Sequence, residues 1–437
     1  MLLEKMNLSK EDFSIYDAGN AKVLVNNKSV NWILLSTEEV AKFKDMLNYE
    51  VSGFDELQNK RFIFKLLLGK VLQFSATRES RLIEPKMRVY FSPTFSCNLK
   101  CVYCYAEAEM VNKDIQFDTE ETYRIIDSFT NDNVAEVVIT GGEPLLRKDL
   151  FQLVDYIKLQ KNKKVSILTN GILINENNIE QFKKFSKVTL SLDASMAEIN
   201  DITRGKGTYH KIVKAVKLLK EHGVNVGIAS VVSKINLGDV PTLLSFVRDE
   251  LGIAEHNTSI HVAHGRGKAS QIECTSLQVK QFRELYLNDY IENDLNTNSS
   301  LFQPEIFKNI QREMCGVATA EIFVDEKGNV YPCRLLVGDQ YLLGSLLEDS
   351  LEKIIADPKT QAFKDCMKVD NIESCSQCKS KYMCGGGCRS SHACYTGDIS
   401  KSHAPLCEMI EREIENSILL QSNINPLTRE EIQGGRQ

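Results

Sequence analysis

Residues 88–104 read RVYFSPTFSCNLKCVYC, a short apolar run followed by cysteines at 97, 101 and 104. The run predicts a strand, which puts the CxxxCxxC spacing on the loop that leaves it. Three thiolates do not close a four-coordinate metal site, and the first histidine in the chain is His210. One coordination position is thereby left to a group that is not protein. Soft thiolates suit zinc, copper or iron-sulfur clusters, and an open corner turns such a site into a place for chemistry. The competing reading is a zinc knuckle closed by a distant fourth ligand.

Of the 13 cysteines, ten follow residue 273, and Cys375 to Cys388 read C-SQ-C-KSKYM-C-GGG-C. A disulfide scaffold is a poor account, because 437 residues bury ample core without staples. The sequence has no amino-terminal signal pattern, no apolar span near 20 residues and no lipidation motif, so the expectation is metal-binding cysteines in a reducing cytoplasm, with no membrane partner. A formal charge of -6 and a pI near 5.8 argue against a broad nucleic-acid surface.

Outward from the first cysteines the pattern becomes periodic. Strands are expected at 88–95, 134–140, 164–169, 187–192, 224–232 and 259–263. Helices are expected between them near 118–129, 148–160, 175–184, 208–222 and 238–250. Six strands alternating with helices predict an α/β fold with a parallel sheet, whose ligands bind beyond the carboxyl ends of the strands. The conspicuous residues fall at those ends: Cys97 to Cys104, then Gly141-Gly142-Glu143-Pro144, then Thr169-Asn170-Gly171, then Ser191-Leu192-Asp193. Gly141 and Gly142 permit close backbone approach to an amino-acid ammonium or carboxylate that Glu143 would orient; a tight strand-to-helix turn explains them equally well. Ser191 and Asp193 suit ribose hydroxyls or a helix cap.

Residues 1–85 form a separate unit by pattern. AKVLV and VNWIL predict strands joined by a turn at Asn26-Asn27-Lys28, and Ser36-Thr37-Glu38-Glu39 resembles a helix start. A second helix is expected over 54–67, with a turn at Gly69 before VLQFS.

CxxxCxxC, GGEP and SLD in this order resemble the radical S-adenosylmethionine superfamily, and the later cysteines resemble its SPASM extension. The resemblance spans roughly 88–407 and implies a partial (β/α)6 TIM barrel at 86–270, a helical bridge at 271–314, a SPASM domain at 315–410 and a carboxyl-terminal helix and tail at 411–437. It implies a [4Fe-4S] cluster on Cys97, Cys101 and Cys104 whose free iron takes the amino and carboxylate groups of S-adenosylmethionine. Tyr103 matches the position beside adenine, and Gly141, Gly142 and Glu143 match the methionine-amine motif. Ser191 and Asp193 match the ribose side, and Arg204 matches the carboxylate contact. His264-Gly265-Arg266-Gly267 resembles the turn that closes around the cofactor.

Cys315, Cys333, Cys375, Cys378, Cys384, Cys388 and Cys407 match the seven-cysteine SPASM pattern. By resemblance Cys375, Cys378, Cys384 and Cys407 hold an outer auxiliary cluster, and Cys315, Cys333 and Cys388 hold an inner one. The fourth inner corner is left to Cys394, Cys366, Cys274 or a substrate group. Two four-thiolate zinc sites are the competing reading. Three [4Fe-4S] clusters, reductive cleavage of S-adenosylmethionine and a flavodoxin or ferredoxin-like electron donor follow from the resemblance. One branch of the family makes formylglycine with an aspartate after the second SPASM cysteine, where this chain has Arg334. Other branches mature ribosomally made peptides and capture a leader on a small winged-helix unit like residues 1–85. The expected activity is therefore a thioether or carbon-carbon crosslink in a precursor peptide. A small-molecule substrate and a noncatalytic electron carrier are the alternatives.

Overall fold

The computed structural model describes residues 9–18, 21–47, 66, 86–106, 109–110, 118–275, 277–279, 281–282, 285, 312–411 and 414. The chain divides into two compact units. One draws on Met1–Leu82, Gln303–Cys315 and Cys366–Gln437, the other on Ile83–Phe302 and Gly316–Asp365.

In the first unit, β1 (Phe13–Ala18), β2 (Ala21–Asn26) and β3 (Trp32–Leu35) form an antiparallel sheet in that order. Alternation sets its faces: Tyr16, Val23, Val25, Trp32 and Leu34 pack against Met383 and Ile414. Residues that close the sequence thus complete the core under a sheet that opens it. Helix Thr37–Leu47 starts with a reciprocal capping box, in which the Ser36 N–H donates to Glu39 Oε2 at 2.8 Å and the Glu39 N–H donates to Ser36 Oγ at 3.1 Å. The expected helix over 54–67, apart from buried Leu66, and the VLQFS strand lie outside the described residues, as do most of 271–314 and of the tail from 411. Short helices Glu373–Ser376 and Lys381–Cys384 carry Cys375 and Cys384, and Arg389–Thr396, whose N-cap is Cys388, carries Cys394.

The second unit is built on β4 (Met87–Phe91), β7 (Val134–Ile139), β8 (Lys164–Thr169), β9 (Lys187–Ser191), β10 (Val226–Val232) and β11 (His256–Ile260). Each pairs in parallel with the next, as six strands alternating with helices require. Between the first two lies a two-residue parallel pair, β5 (Ser96–Cys97) with β6 (Glu109–Met110). Odd and even positions serve two cores. Val89, Phe91, Val137, Ile139, Val165, Ile167, Val188 and Leu190 join the large cluster that includes helix residues. Tyr90, Val138 and Leu168 belong to another, with Phe323 and Tyr331. Helix Thr119–Phe129 presents Thr122, Ile125, Ile126 and Phe129 as its buried stripe, and Asp118 caps it by accepting from the Glu121 N–H at 2.9 Å. The expected helices over 148–160 and 238–250 begin at Leu150 and Val240 and end in π-helical turns, Tyr156–Gln160 and Phe246–Glu250.

Two differences from the sequence expectation stand out. The sixth strand is His256–Ile260, not 259–263. The SIHVA stretch at 259–263 is the more apolar, but the strand is the polar HNTSI, with His256 and Thr258 buried and His256 Nε2 2.7 Å from Ser230 Oγ. The sheet also extends past the first strand: β12 (Glu321–Val324) pairs in parallel with β4, and β13 (Asn329–Tyr331) and β14 (Gly344–Ser345) follow antiparallel. Among the described residues no helix is long and apolar enough to cross a membrane.

Candidate functional site

The first cysteine loop is held at the carboxyl end of β4 by backbone contacts. After Phe91 the chain leaves the sheet, and the turn after β7 zips onto it: the Gly142 N–H donates to Thr94 O at 2.9 Å and the Glu143 N–H to Ser96 O at 2.8 Å. This approach explains both glycines. A Cβ on Gly141, at φ +120°, would lie 2.1 Å from Ser92 Oγ, and one on Gly142 would lie 2.1 Å from Ser96 O. Two further side chains fix the same approach. Glu326 accepts from the Phe95 N–H at 2.8 Å, and buried Arg147 donates to Pro93 O at 3.1 Å while pairing with Asp149.

Glu143 is fully buried and accepts from the Leu145 N–H at 3.1 Å, from Thr169 Oγ1 at 2.7 Å and from the Asn170 N–H at 2.9 Å. Burial raises its pKa, and these three donors oppose the rise. Its carboxylate therefore staples the GGE turn to the end of β8. Asn170 extends the link by donating to Asn98 Oδ1, inside the cysteine loop, at 2.8 Å.

The loop's second half meets the end of β9. Asp193 accepts from Tyr103 Oη, from Thr203 Oγ1 at 3.1 Å, from Arg204 Nη2 at 2.9 Å and from the Val231 N–H at 2.9 Å. The Arg204 guanidinium also lies 5.5 Å from the Tyr103 ring centre. Burial opposes the charge on Arg204, yet Asp193, Tyr103 and Cys101 together hold its pKa above the usual arginine value. Burial likewise lifts the Tyr103 phenol well above its ordinary range. Residues 101–104 are also tied down directly: the Val102 N–H donates to Thr203 O at 3.0 Å, the Arg266 N–H to Cys104 O at 3.1 Å and Arg266 Nε to Cys101 O at 3.3 Å. The Gly265–Ala269 turn thus closes over the cysteine loop. Ser191 is half-buried at the last position of β9.

Three thiols meet here. Burial pushes the Cys97 thiol up to about 11, with Cys101 and Cys104 adding to the rise; burial raises Cys101 too, against the pull of Arg204. Mutually unfavourable thiolates beside a cation are a fitting donor set for iron, which binds them deprotonated.

In the other unit Cys375, Cys378, Cys384 and Cys407 are similarly gathered. Burial lifts Cys384 up to about 12, and the charges of Cys375, Cys407 and Cys378 add to it. Of the remaining SPASM-pattern cysteines, Cys315 and Cys388 belong to this unit and Cys333 to the other. Among the described residues no three histidine, cysteine or acidic side chains are grouped to hold a single metal ion. An iron-sulfur cluster sets its thiolates on separate irons, so the donor type fits a cluster at both gatherings.

Sequence reasoning singled out Cys97, Cys101, Cys104, Tyr103, the GGE turn, Asp193 and Arg204, and these converge in one region. It missed Thr203, Asn98, Arg147 and Glu326. TR in NDITRGKGTY was the only local hint of Thr203.

A family model described as the radical SAM superfamily matches residues 91–247, and one described as the SPASM iron-sulfur cluster-binding domain matches residues 315–379. The chain belongs to the radical SAM superfamily and carries a SPASM domain. It is 28% identical over 351 residues to the antilisterial bacteriocin subtilosin biosynthesis protein AlbA of Bacillus subtilis, covering 79% of this chain and 75% of AlbA. In fold it is similar to anSMEcpe with bound AdoMet, at TM-score 0.65 and 22% identity over 78% of this chain and 100% of the other. It is also similar to Streptococcus suis SuiB bound to the precursor peptide SuiA, at TM-score 0.56 and 20% identity over 87% and 95%. The protein is a radical SAM enzyme of the iron-sulfur type.

Proposed function

We propose that this enzyme abstracts hydrogen from a ribosomally made precursor peptide and installs a thioether or carbon-carbon crosslink, using three [4Fe-4S] clusters. The observation that carries the reading is the docking of the Cys97–Cys104 loop onto the GGE turn and the Asp193–Arg204 pair at the strand ends. The relatives AlbA, of bacteriocin biosynthesis, and SuiB, bound to a precursor peptide, support the substrate class. We read the six-strand run as a partial barrel, residues 1–85 as a leader-recognition unit and 315–410 as the auxiliary-cluster domain, in a cytoplasmic protein served by a flavodoxin or ferredoxin-like donor.

The chemistry supplied by such a loaded site is one-electron reductive cleavage of S-adenosylmethionine followed by hydrogen abstraction. The chain's share is orientation. Cys97, Cys101 and Cys104 hold the first cluster. The backbone of Gly141 and Gly142 would meet the methionine amine, held in place by Glu143, whose own carboxylate is engaged with the turn and with the end of β8. Arg204 would meet the methionine carboxylate, Ser191 and Asp193 the ribose, and Tyr103 the adenine. Cys375, Cys378, Cys384 and Cys407 hold the outer auxiliary cluster, and Cys315, Cys333 and Cys388 the inner one. Arg334, 4.8 Å from the Tyr90 ring centre, supplies a cation where formylglycine formation uses a carboxylate base.

A free edge of the three-stranded sheet suits a leader peptide, since an added strand satisfies unpaired backbone groups. β1 and β3 each pair only with β2 among the described residues. Trp32, the sole tryptophan of the chain, lies in β3 and reports on that edge.

The test is anaerobic reconstitution with S-adenosylmethionine and reductant, with coexpression of a short reading frame neighbouring the gene. The expected result is 5'-deoxyadenosine and methionine in equal amounts, and a peptide lighter by two hydrogens per crosslink. No cleavage overturns the enzyme reading; cleavage with unaltered peptides moves the substrate to a small molecule.

A further inference from the structure

Among the described residues, the largest fully buried side chain is a cation. Arg389, 1% exposed, directly follows the CGGGC run. Its acceptors are all neutral. Nε and Nη2 donate to Ile399 O at 2.9 and 2.5 Å, Nη2 to Lys401 O at 2.6 Å, and Nη1 to Gly386 O at 3.1 Å and Ser402 Oγ at 3.4 Å. Gly386, whose carbonyl takes one of these bonds, lies in a left-handed run, Gly385, Gly386 and Gly387 at φ of +67°, +82° and +64°, that other residues resist.

No carboxylate among the described residues pairs with the guanidinium. The nearby acid Asp398 accepts from Ser400 and lies 3.7 Å from Lys401. His392 adds no negative charge either; its Nδ1 accepts from the His403 N–H at 2.9 Å. Carbonyl oxygens satisfy donors without neutralising charge, and a buried charge without a counter-charge is expensive. Ser402 leads from the guanidinium towards thiols: its hydroxyl is 3.8 Å from Cys375 Sγ, and both Ser402 and Arg389 favour the charged form of the Cys407 thiol.

We infer that Arg389 is the built-in counter-ion of the outer auxiliary cluster and that, with Ser402, it raises that cluster's reduction potential. This rests on reading Cys375, Cys378, Cys384 and Cys407 as the cluster's ligands. A fixed positive charge favours the reduced, more negative state, and hydrogen bonds to ligand sulfur act the same way. Arg389 is a positioning residue: it touches neither substrate nor reacting atoms.

The experiment compares full-length wild type, Arg389→Gln, Arg389→Lys, Ser402→Ala and Cys378→Ala after anaerobic reconstitution. Iron and sulfide are quantified, and the outer-cluster midpoint potential is read by EPR-monitored redox titration. The expected result is a midpoint shifted negative in Arg389→Gln, restored in Arg389→Lys, and shifted less in the same direction in Ser402→Ala. A role limited to holding the loop does not separate lysine from glutamine by charge. Equal midpoints in Arg389→Gln and wild type, or equal shifts in the lysine and glutamine variants, overturn the inference. If Arg389→Gln does not load, Ser402→Ala decides: a negative shift supports the inference and an unshifted midpoint overturns it. Unchanged iron in Cys378→Ala instead overturns the ligand reading beneath it.

Discussion

The loop Cys97–Cys104 and the run Cys375–Cys407 collect thiols by different means. The first packs three cysteines into eight residues and is positioned from outside, by the ends of β4, β7, β8 and β9 and by the Gly265–Ala269 turn. The second spreads four cysteines over 33 residues, two of them on short helices, and has at its centre a buried arginine bonded to backbone carbonyls. A loop held by a sheet keeps one face open to a ligand, whereas a segment wrapped around its own cation encloses what it binds. On the proposed reading, chemistry belongs to the first arrangement and electron traffic to the second.

The largest effect should separate the two. Cys101→Ala should reduce S-adenosylmethionine cleavage to background while leaving most of the auxiliary iron bound, and Cys378→Ala should lose auxiliary iron while retaining slow uncoupled cleavage. Measured iron per chain and 5'-deoxyadenosine release check both. Retained cleavage in Cys101→Ala would dissolve the division of labour.

Glycine substitutions sharpen the contrast. Gly142→Ala puts a methyl 2.1 Å from Ser96 O and 2.6 Å from Phe95 O, both backbone atoms that cannot swing aside. A destabilisation of about 3 kcal/mol, the upper end for overpacking, is expected, with at least about tenfold slower cleavage. Gly386→Ala meets nothing closer than 3.5 Å, so only its φ of +82° is strained, costing about 1 kcal/mol. Denaturation midpoints of the two variants should fall in that order.

Acid should weaken the sheet-built unit through His256. Burial depresses its pKa from 6.5 to about 4, so the neutral form is held when folded. The unfolded chain takes up a proton first as pH falls. The stabilisation is therefore complete above about 6.5 and lost progressively towards 4, about 3 kcal/mol in all. His256→Asn should flatten the pH dependence of stability between 7 and 5; an unchanged slope assigns acid lability elsewhere.

Much of this was legible in the sequence because the signals were local. Period and spacing marked strands alternating with helices and hence a parallel sheet, and the GG pair marked a backbone approach. What escaped was non-local or polar. The hub at Asp193 gathers donors from positions 103, 203, 204 and 231, which no window of sequence brings together. The sixth strand is a polar HNTSI, masked by the more apolar residues after it. Arg389 reads as any arginine until its burial is known. β12 is only four residues long, too short for its pairing with β4 to register.

The smallest expected effect probes how the first sheet joins the cysteine run. Because Tyr16, Val23, Val25, Trp32 and Leu34 share a core with Met383 and Ile414, deleting residues 1–85 would strip a face from the later segment as well as any leader site. A point change is the cleaner instrument. Ser36→Ala removes one half of the capping box and leaves the Ser36 backbone N–H bond to Glu39 in place, at a cost of about 1 kcal/mol. The loss should appear as faster amide exchange in the helix Thr37–Leu47, with S-adenosylmethionine cleavage unaltered. If cleavage falls in step with exchange, the two regions are coupled more tightly than their separate means of holding thiols implies.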